Sequence, residues 1–182
     1  GIGFLLYKKE NPYKITPLVG GGSQEMGLRA GTESLALISG LELALEKLVD
    51  SKGNNRVNSE IVNKLTISLR DELMKIPGIK FTGHPTKRLP NHISFLAASP
   101  QGEPIAGRDV VRLLAKNGLA VSSGTACSGG QVQDSKVLMA LGISDKWLKS
   151  GIRLSLGPWN NRNQLVNVPK VIAKVLAECT TL

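Results

Sequence analysis

The chain has few cysteines, few aromatic side chains and no long apolar run, and each shortage excludes a class of protein. Two cysteines in 182 residues cannot build a disulfide framework, which favours a reducing compartment, either the cytoplasm or an organelle stroma or matrix. No apolar run approaches the ~20 residues that cross a bilayer, and the opening residues do not follow the signal-peptide pattern. We therefore expect no membrane partner. A chain of 182 residues is long enough to bury a hydrophobic core.

Acidic residues are also scarce, which raises the question of a nucleic-acid partner. Lys and Arg number 23 against 14 Asp and Glu, a formal net charge of +9. The basic residues are scattered and form no stripe, and two Trp and two Tyr offer no platform on which bases could stack. The composition therefore predicts no nucleic-acid partner and favours attraction to an acidic protein.

One of the two cysteines, Cys127, lies within a run of small residues, 121–130 (VSSGTACSGG). An apolar, strand-like segment, 119–121, precedes the cysteine, and a helix-like segment, 134–141, follows the run. A thiol on such a loop is accessible and free to ionise, as nucleophilic sulfur chemistry requires. Spacing alone leaves a second interpretation open, which is a small residue in a polar turn.

Two further segments have the composition of anion sites. Residues 20–33 (GGGSQEMGLRAGTE) precede a helical pattern, and Thr32 is the predicted N-cap, whose hydroxyl and following amides suit a phosphate. The alternative is a surface loop capped by threonine. Residues 151–157 (GIRLSLG) alternate like a strand that places Arg153 on the face opposite Ile152 and Leu154. In a cleft this guanidinium would suit a carboxylate, and elsewhere it would be a solvated edge residue.

Together these segments resemble the C-terminal part of a cysteine desulfurase, a class V aminotransferase-like, pyridoxal-phosphate-dependent family of fold type I. The matching motifs are 1–7 (GIGFLLY), the glycine-rich run ending at 29–32 (RAGT), 89–95 (LPNHISF), 121–127 (VSSGTAC) and 152–157 (IRLSLG). The resemblance extends from Gly1 to about Cys179. The small-residue loop after Cys127 is similar to the long-loop branch of the family, which serves iron–sulfur cluster assembly.

The resemblance implies a reaction and roles for three residues. The reaction is transfer of sulfur from L-cysteine to an enzyme cysteine as a persulfide, with release of L-alanine and with pyridoxal 5'-phosphate as cofactor. Cys127 would be catalytic and Arg153 would bind the substrate carboxylate. Thr32 would bind the cofactor phosphate across the interface of a homodimer. A sulfur-acceptor or iron–sulfur scaffold protein would receive the sulfur, and no metal site is expected.

One departure from the family concerns the lysine that forms the Schiff base. In the family it lies in a Ser-x-His-Lys segment shortly before the strand that resembles residues 1–7, and nothing in this chain resembles that segment. Lys8 and Lys9 follow the strand, and we expect them to be solvated charges. We therefore expect a C-terminal part that is inactive alone. Two alternatives stay open: a non-catalytic module that binds a sulfur acceptor or scaffold protein, and a selenocysteine lyase-like activity.

Hydrophobic periodicity predicts an α+β small domain in residues 56–182, preceded in residues 1–55 by a remnant of a large α/β domain and a connecting helix. We expect a buried strand at Gly1–Tyr7 and a helix from Thr32. Cys179 is predicted to end the last helix without a chemical role. Other predicted elements are a helix ending before Pro77, strands at 79–82, 91–96 and around Arg153, and helices at 108–117 and 163–178. Pro169 would either kink that last helix or begin a new segment.

Overall fold

The structure, a computed structural model, describes residues 1–8, 10, 12–48, 59–124 and 134–179. The chain divides into two compact units, Gly1–Val57 and Asn58–Leu182. The predicted domain boundary at residue 55 lies outside the described residues. The assignment of the two parts to a large and a small domain therefore stays a prediction.

The described part of the first unit contains one α-helix, α1 (Leu35–Leu48), and a short 3-10 turn at Gln24–Gly27. Ala30 is the buried hydrophobic residue of its described part, and the apolar side chains of α1 are largely exposed. The prediction of a buried strand at Gly1–Tyr7 is wrong, because these residues are exposed and have no regular secondary structure. A strand requires a neighbouring backbone to pair with, and the described part of this unit supplies none.

Helix α1 begins three residues after Thr32, so the prediction of Thr32 as its N-cap is also wrong. The Ser34 carbonyl accepts the first helical hydrogen bond, from the Ile38 N–H at 2.9 Å, and this bond defines the N-cap position. Serine caps helices as well as threonine does, and Ser34 stands directly before the apolar periodic residues. Thr32 therefore lies in the segment that leads into the helix.

The second unit is built on a four-stranded antiparallel sheet. Its strands are β1 (Ile79–Phe81), β2 (His92–Ala97), β3 (Ser122–Ser123) and β4 (Gly151–Ser155), in the order β1-β2-β4-β3. Its helices are α2 (Ser59–Met74), α3 (Gly107–Lys116), α4 (Lys136–Ala140), α5 (Arg162–Leu165) and α6 (Val168–Glu178). The predicted α+β class is confirmed. Pro169 lies in the first turn of α6, so the second interpretation of this proline is the right one.

Side chains pack against both faces of the sheet. Successive side chains along β2 and β4 point to opposite faces. Ile93 and Phe95 of β2, with Ile152 and Leu154 of β4, pack against α2, α3 and α6 in the main core. We call the opposite face of the sheet the outer face. Part of it is covered by a smaller apolar cluster of Leu96, Ala98, Leu138, Trp147 and Leu148.

Arg153 alternates with the core residues of β4 and is exposed on the outer face, which confirms its predicted orientation. Among the described residues, no helix combines the length and the apolar character that a membrane span requires.

Candidate functional site

A row of polar side chains crosses the outer face of the sheet. Arg153 in β4 lies opposite Ser94 in β2 and opposite Ser122 in β3. The Ser94 hydroxyl forms a hydrogen bond with the Thr82 hydroxyl, so the row continues past the end of β1. The positions of Ser94 and Arg153 follow from local sequence, since each alternates with apolar residues of the main core.

This row borders a cavity of about 550 Å³, a volume within the range of small-molecule sites. Lys87, Arg88 and Arg153 line it, together with His84 and His92. No Asp or Glu is among the described residues that line it. Cations without carboxylate partners create a positive potential, so the cavity favours an anionic ligand.

His92 lies among these cations, and its pKa responds to them. Burial lowers the pKa of His92 below the ordinary 6.5, and the charges of Arg88 and Arg153 lower it further. The imidazole is therefore neutral at neutral pH, with one ring nitrogen able to accept a hydrogen bond. The neutral His92 ring therefore adds no charge to the two arginines and the lysine that line the cavity.

Described residues on either side of the Cys127 segment form backbone hydrogen bonds with residues 148–151. The Gly124 N–H donates to the Gly151 carbonyl at 2.7 Å, and the Ser135 N–H donates to the Leu148 carbonyl at 3.3 Å. The Ser135 hydroxyl also accepts from the Leu138 N–H and caps α4. Gly124 and Ser135 both line the cavity that Arg153 lines. Cys127 lies outside the described residues, and its predicted role stays a prediction.

Thr32 belongs to the first unit, where it is exposed beside a turn at Gly31, which has a φ of 111°. A Cβ at Gly31 would come within 3.7 Å of the Arg29 guanidinium, so an arginine lies close to the start of this turn. A hydroxyl and a guanidinium are donors that suit a phosphate, and this donor set fits the phosphate of pyridoxal phosphate. The predicted role of Thr32 itself stays a prediction.

The other cysteine, Cys179, directly follows α6, as predicted, and is half-buried. Burial raises the pKa of the Cys179 thiol, and the nearby Asp109 and Glu178 raise it further, against a smaller opposite effect of Arg112. A thiol with a raised pKa carries little thiolate at neutral pH and is a poor nucleophile.

Sequence reasoning missed His84, Lys87, Arg88 and His92, all of which line the cavity. Residues 89–95 were recognised only as a matching motif. The alternation of His92 and Ser94 with the apolar Ile93 and Phe95 was the signal for two outer-face side chains. Arg88 had no such signal, because the irregular path of the chain before β2 determines where it lies.

The fold matches a known class of protein, the cysteine desulfurases of fold type I. The structure is similar to that of a NifS-like protein from Rickettsia africae, with a TM-score of 0.69 and 26% identity over 93% of this chain and 41% of that chain. Residues 1–168 match the aminotransferase class-V family, and the chain belongs to that family.

Curated relatives confirm the resemblance to cysteine desulfurases. The chain is 34% identical over 184 residues to cysteine desulfurase IscS of Methanosarcina thermophila, covering 97% of this chain and 41% of the relative. It is 33% identical over 182 residues to cysteine desulfurase NifS of Azotobacter vinelandii, covering 98% of this chain and 42% of the relative. The chain thus spans less than half the length of these relatives.

Proposed function

We propose that the whole protein is a pyridoxal-phosphate-dependent cysteine desulfurase that transfers sulfur from L-cysteine to Cys127 and releases L-alanine. One observation carries the proposal. Arg153 lines a cavity that has no carboxylate among its described lining residues, and Gly124 and Ser135, on either side of the Cys127 segment, line the same cavity. The similarity to IscS and NifS supports it.

Arg153 would bind the carboxylate of the substrate. Its guanidinium is exposed on the outer face, and Nη2 lies 3.4 Å from the Ser123 carbonyl oxygen, a long hydrogen bond. A carboxylate could accept two parallel hydrogen bonds from this group, which a lysine cannot offer. Lys87 and Arg88 would add positive potential without competing for the same oxygen atoms.

Thr32 would hold the phosphate of pyridoxal phosphate, from the neighbouring subunit of a homodimer. The cofactor, when bound, supplies the electron sink that makes cleavage of the substrate carbon–sulfur bond feasible. The lysine that attaches it has no counterpart in this chain. We therefore propose that the 182-residue chain is inactive without the remainder of the protein.

The thiolate of Cys127 would attack the sulfur atom of the bound L-cysteine. A sulfur–sulfur bond forms as the carbon–sulfur bond breaks, and the electron pair of the broken bond stays with the carbon. That carbon gains one proton, which balances the proton lost when Cys127 ionises. One cysteine and one thiol thus give one alanine and one persulfide, without an external oxidant or reductant.

Position along the chain supports this role for Cys127. It follows Gly124, which lines the cavity, by three residues. Three residues of extended chain span about 11 Å. The persulfide would then pass its sulfur to an acceptor or iron–sulfur scaffold protein in the cytoplasm or an organelle matrix, and the net charge of +9 favours an acidic one.

The test uses the whole protein loaded with cofactor, and it measures L-alanine and sulfide formed from L-cysteine in the presence of a reductant. Cys127→Ser should abolish both products and leave the absorbance spectrum of the bound cofactor unchanged. Cys179→Ser is the matched control and should keep full activity. Loss of activity in Cys179→Ser but not in Cys127→Ser would overturn the proposal. Turnover of selenocysteine alone would favour the selenocysteine lyase.

A further inference from the structure

A second cavity, of about 410 Å³, lies between α2 and the segment of residues 85–92. It is lined by Arg70 from α2 and by Thr86, Arg88 and His92 from the segment. It shares Arg88, Leu89 and His92 with the cavity of the proposed reaction, but Arg70 lines only this second cavity, and Arg153 and Gly124 line only the first. Nothing in the desulfurase chemistry uses Arg70.

The two arginines hold several N–H donors in this region, and some of them have no acceptor. Arg70 Nη1 donates to the Pro85 carbonyl at 2.9 Å, and Arg88 Nη1 donates to the Thr82 carbonyl at 3.5 Å. The Nε atoms of Arg70 and Arg88 are both buried and make no hydrogen bond within the described part of the chain. A buried donor without an acceptor costs free energy, and a charged donor costs more than a neutral one.

The two positive charges are also not neutralised. Burial lowers the pKa of Arg88, and the charge of Arg70 lowers it further, so the two guanidinium groups repel each other. No Asp or Glu is among the described residues lining the cavity, and the ion pairs of the described chain involve neither arginine. The Arg70 guanidinium lies over the Phe81 ring, 5.1 Å from its centroid, a contact that holds it in place.

We propose that Arg70 and Arg88 bind a phosphate group in the cavity between α2 and residues 85–92. A phosphate presents acceptor oxygens in several directions, so it can accept from two guanidinium groups that approach from different elements. Its negative charge would offset the repulsion between the two guanidinium groups. The cavity is large enough for free inorganic phosphate or for the phosphate of a small monoester.

The experiment titrates the purified 182-residue chain with inorganic phosphate, methyl phosphate and chloride at constant ionic strength. Binding is measured by calorimetry and by the NMR signals of the His92 ring. The variants are Arg70→Gln, Arg88→Gln and, for the first cavity, Arg153→Lys. Arg162→Gln, in the exposed helix α5, is the matched control with the same loss of charge. Cofactor and L-cysteine are absent, so the result is independent of the proposed desulfurase activity.

We expect phosphate binding that chloride does not reproduce, and affinities at least about tenfold weaker in both Gln variants than in Arg162→Gln. Tighter binding of methyl phosphate than of inorganic phosphate would indicate a monoester as the ligand, and the reverse would indicate the free ion. Circular dichroism checks that each variant is folded. If a Gln variant unfolds, the Arg70→Lys and Arg88→Lys variants replace it, and the loss of the planar fork should still weaken binding.

Four results would overturn the proposal. They are no phosphate binding beyond that of chloride, equal weakening in Arg162→Gln, unchanged affinity in the folded variants of Arg70 or of Arg88, and phosphate binding that only Arg153→Lys removes. The last result would place the anion in the first cavity, which Arg88 also lines.

Discussion

Arg153 and Ser94 lie directly opposite each other on the antiparallel strands β4 and β2, and both belong to the outer face of the sheet. Their positions are set by the backbone register, because Ile93 and Phe95 on one strand and Ile152 and Leu154 on the other are fixed in the main core. Arg153 has no ion pair among the described residues. The backbone pairing of β4 therefore fixes the position of Arg153, and its guanidinium has no acidic partner among the described residues.

Replacement of Arg153 by lysine keeps the positive charge but removes the planar guanidinium that can donate two parallel hydrogen bonds to a carboxylate. In the whole protein, we expect Arg153→Lys to weaken the binding of L-cysteine by about 1.5–3 kcal/mol, which is roughly ten- to a hundredfold in KM. Steady-state kinetics checks this, with Arg162→Lys as a control on an exposed arginine of α5. An unchanged KM in Arg153→Lys would remove Arg153 from the substrate site.

The lowered pKa of His92 makes stability depend on pH. The unfolded chain binds a proton at this histidine more readily than the folded chain does, because burial and the charges of Arg88 and Arg153 oppose protonation in the fold. The contribution of neutral His92 to the free energy of unfolding is therefore fully present above pH 6.5. It is lost as the pH falls through and below that value. Lys87 and His84 line the same cavity and face the same region.

We expect the free energy of unfolding to fall between neutral pH and about pH 5, and His92→Gln to reduce that fall. Urea unfolding of both proteins across this range measures the effect, and an NMR titration should give a His92 pKa below 6.5. His84→Gln is the control for loss of an exposed histidine. A pH dependence that is identical in wild type and His92→Gln would contradict the assignment.

Local pattern predicted much of the second unit and little of the first. The alternation around Arg153 gave its face correctly, because the apolar neighbours on the same strand are buried by adjacent helices. Gly1–Tyr7 was predicted as a buried strand left over from a large domain, and these residues are exposed because the described part of their unit supplies no strand to pair with. The predicted N-cap, Thr32, lies two residues before the observed one because Ser34 competes for the cap. The pairing of Arg70 with Arg88 had no sequence signal, since it depends on how an irregular segment packs against α2.

Two glycines with positive φ allow a matched test of backbone packing. A Cβ at Gly78, where φ is 89°, would come 2.2 Å from the Ala98 carbonyl oxygen, whereas a Cβ at Gly83, where φ is 78°, would meet nothing within 4 Å. Both alanine variants carry the strain of the left-handed region, about 1–2 kcal/mol. Gly78→Ala should lose about 1–3 kcal/mol more, because the backbone must shift. Equal losses in denaturant unfolding would show that the close approach is not maintained in solution.

The two units should differ in protection from hydrogen exchange. Leu35 and Leu43 of α1 are 75% and 53% exposed, whereas Ile93 and Phe95 of β2 are fully buried. A helix without a buried face gains little from packing, so it opens easily. In a monomeric sample of the 182-residue chain, we expect amides of α1 to exchange much faster than those of β2 and β4. Comparable protection would mean that α1 has found a packing partner within the chain.

The central claim is that Cys127 receives the sulfur of L-cysteine, and peptide mass spectrometry tests it most directly. The whole protein, loaded with cofactor, is incubated with L-cysteine, alkylated and digested without a reductant. The account predicts one additional sulfur atom on the peptide that contains Cys127 and none on the peptide that contains Cys179. Additional sulfur on the Cys179 peptide alone, or formation of L-alanine with no sulfur on Cys127 at any time, would contradict it.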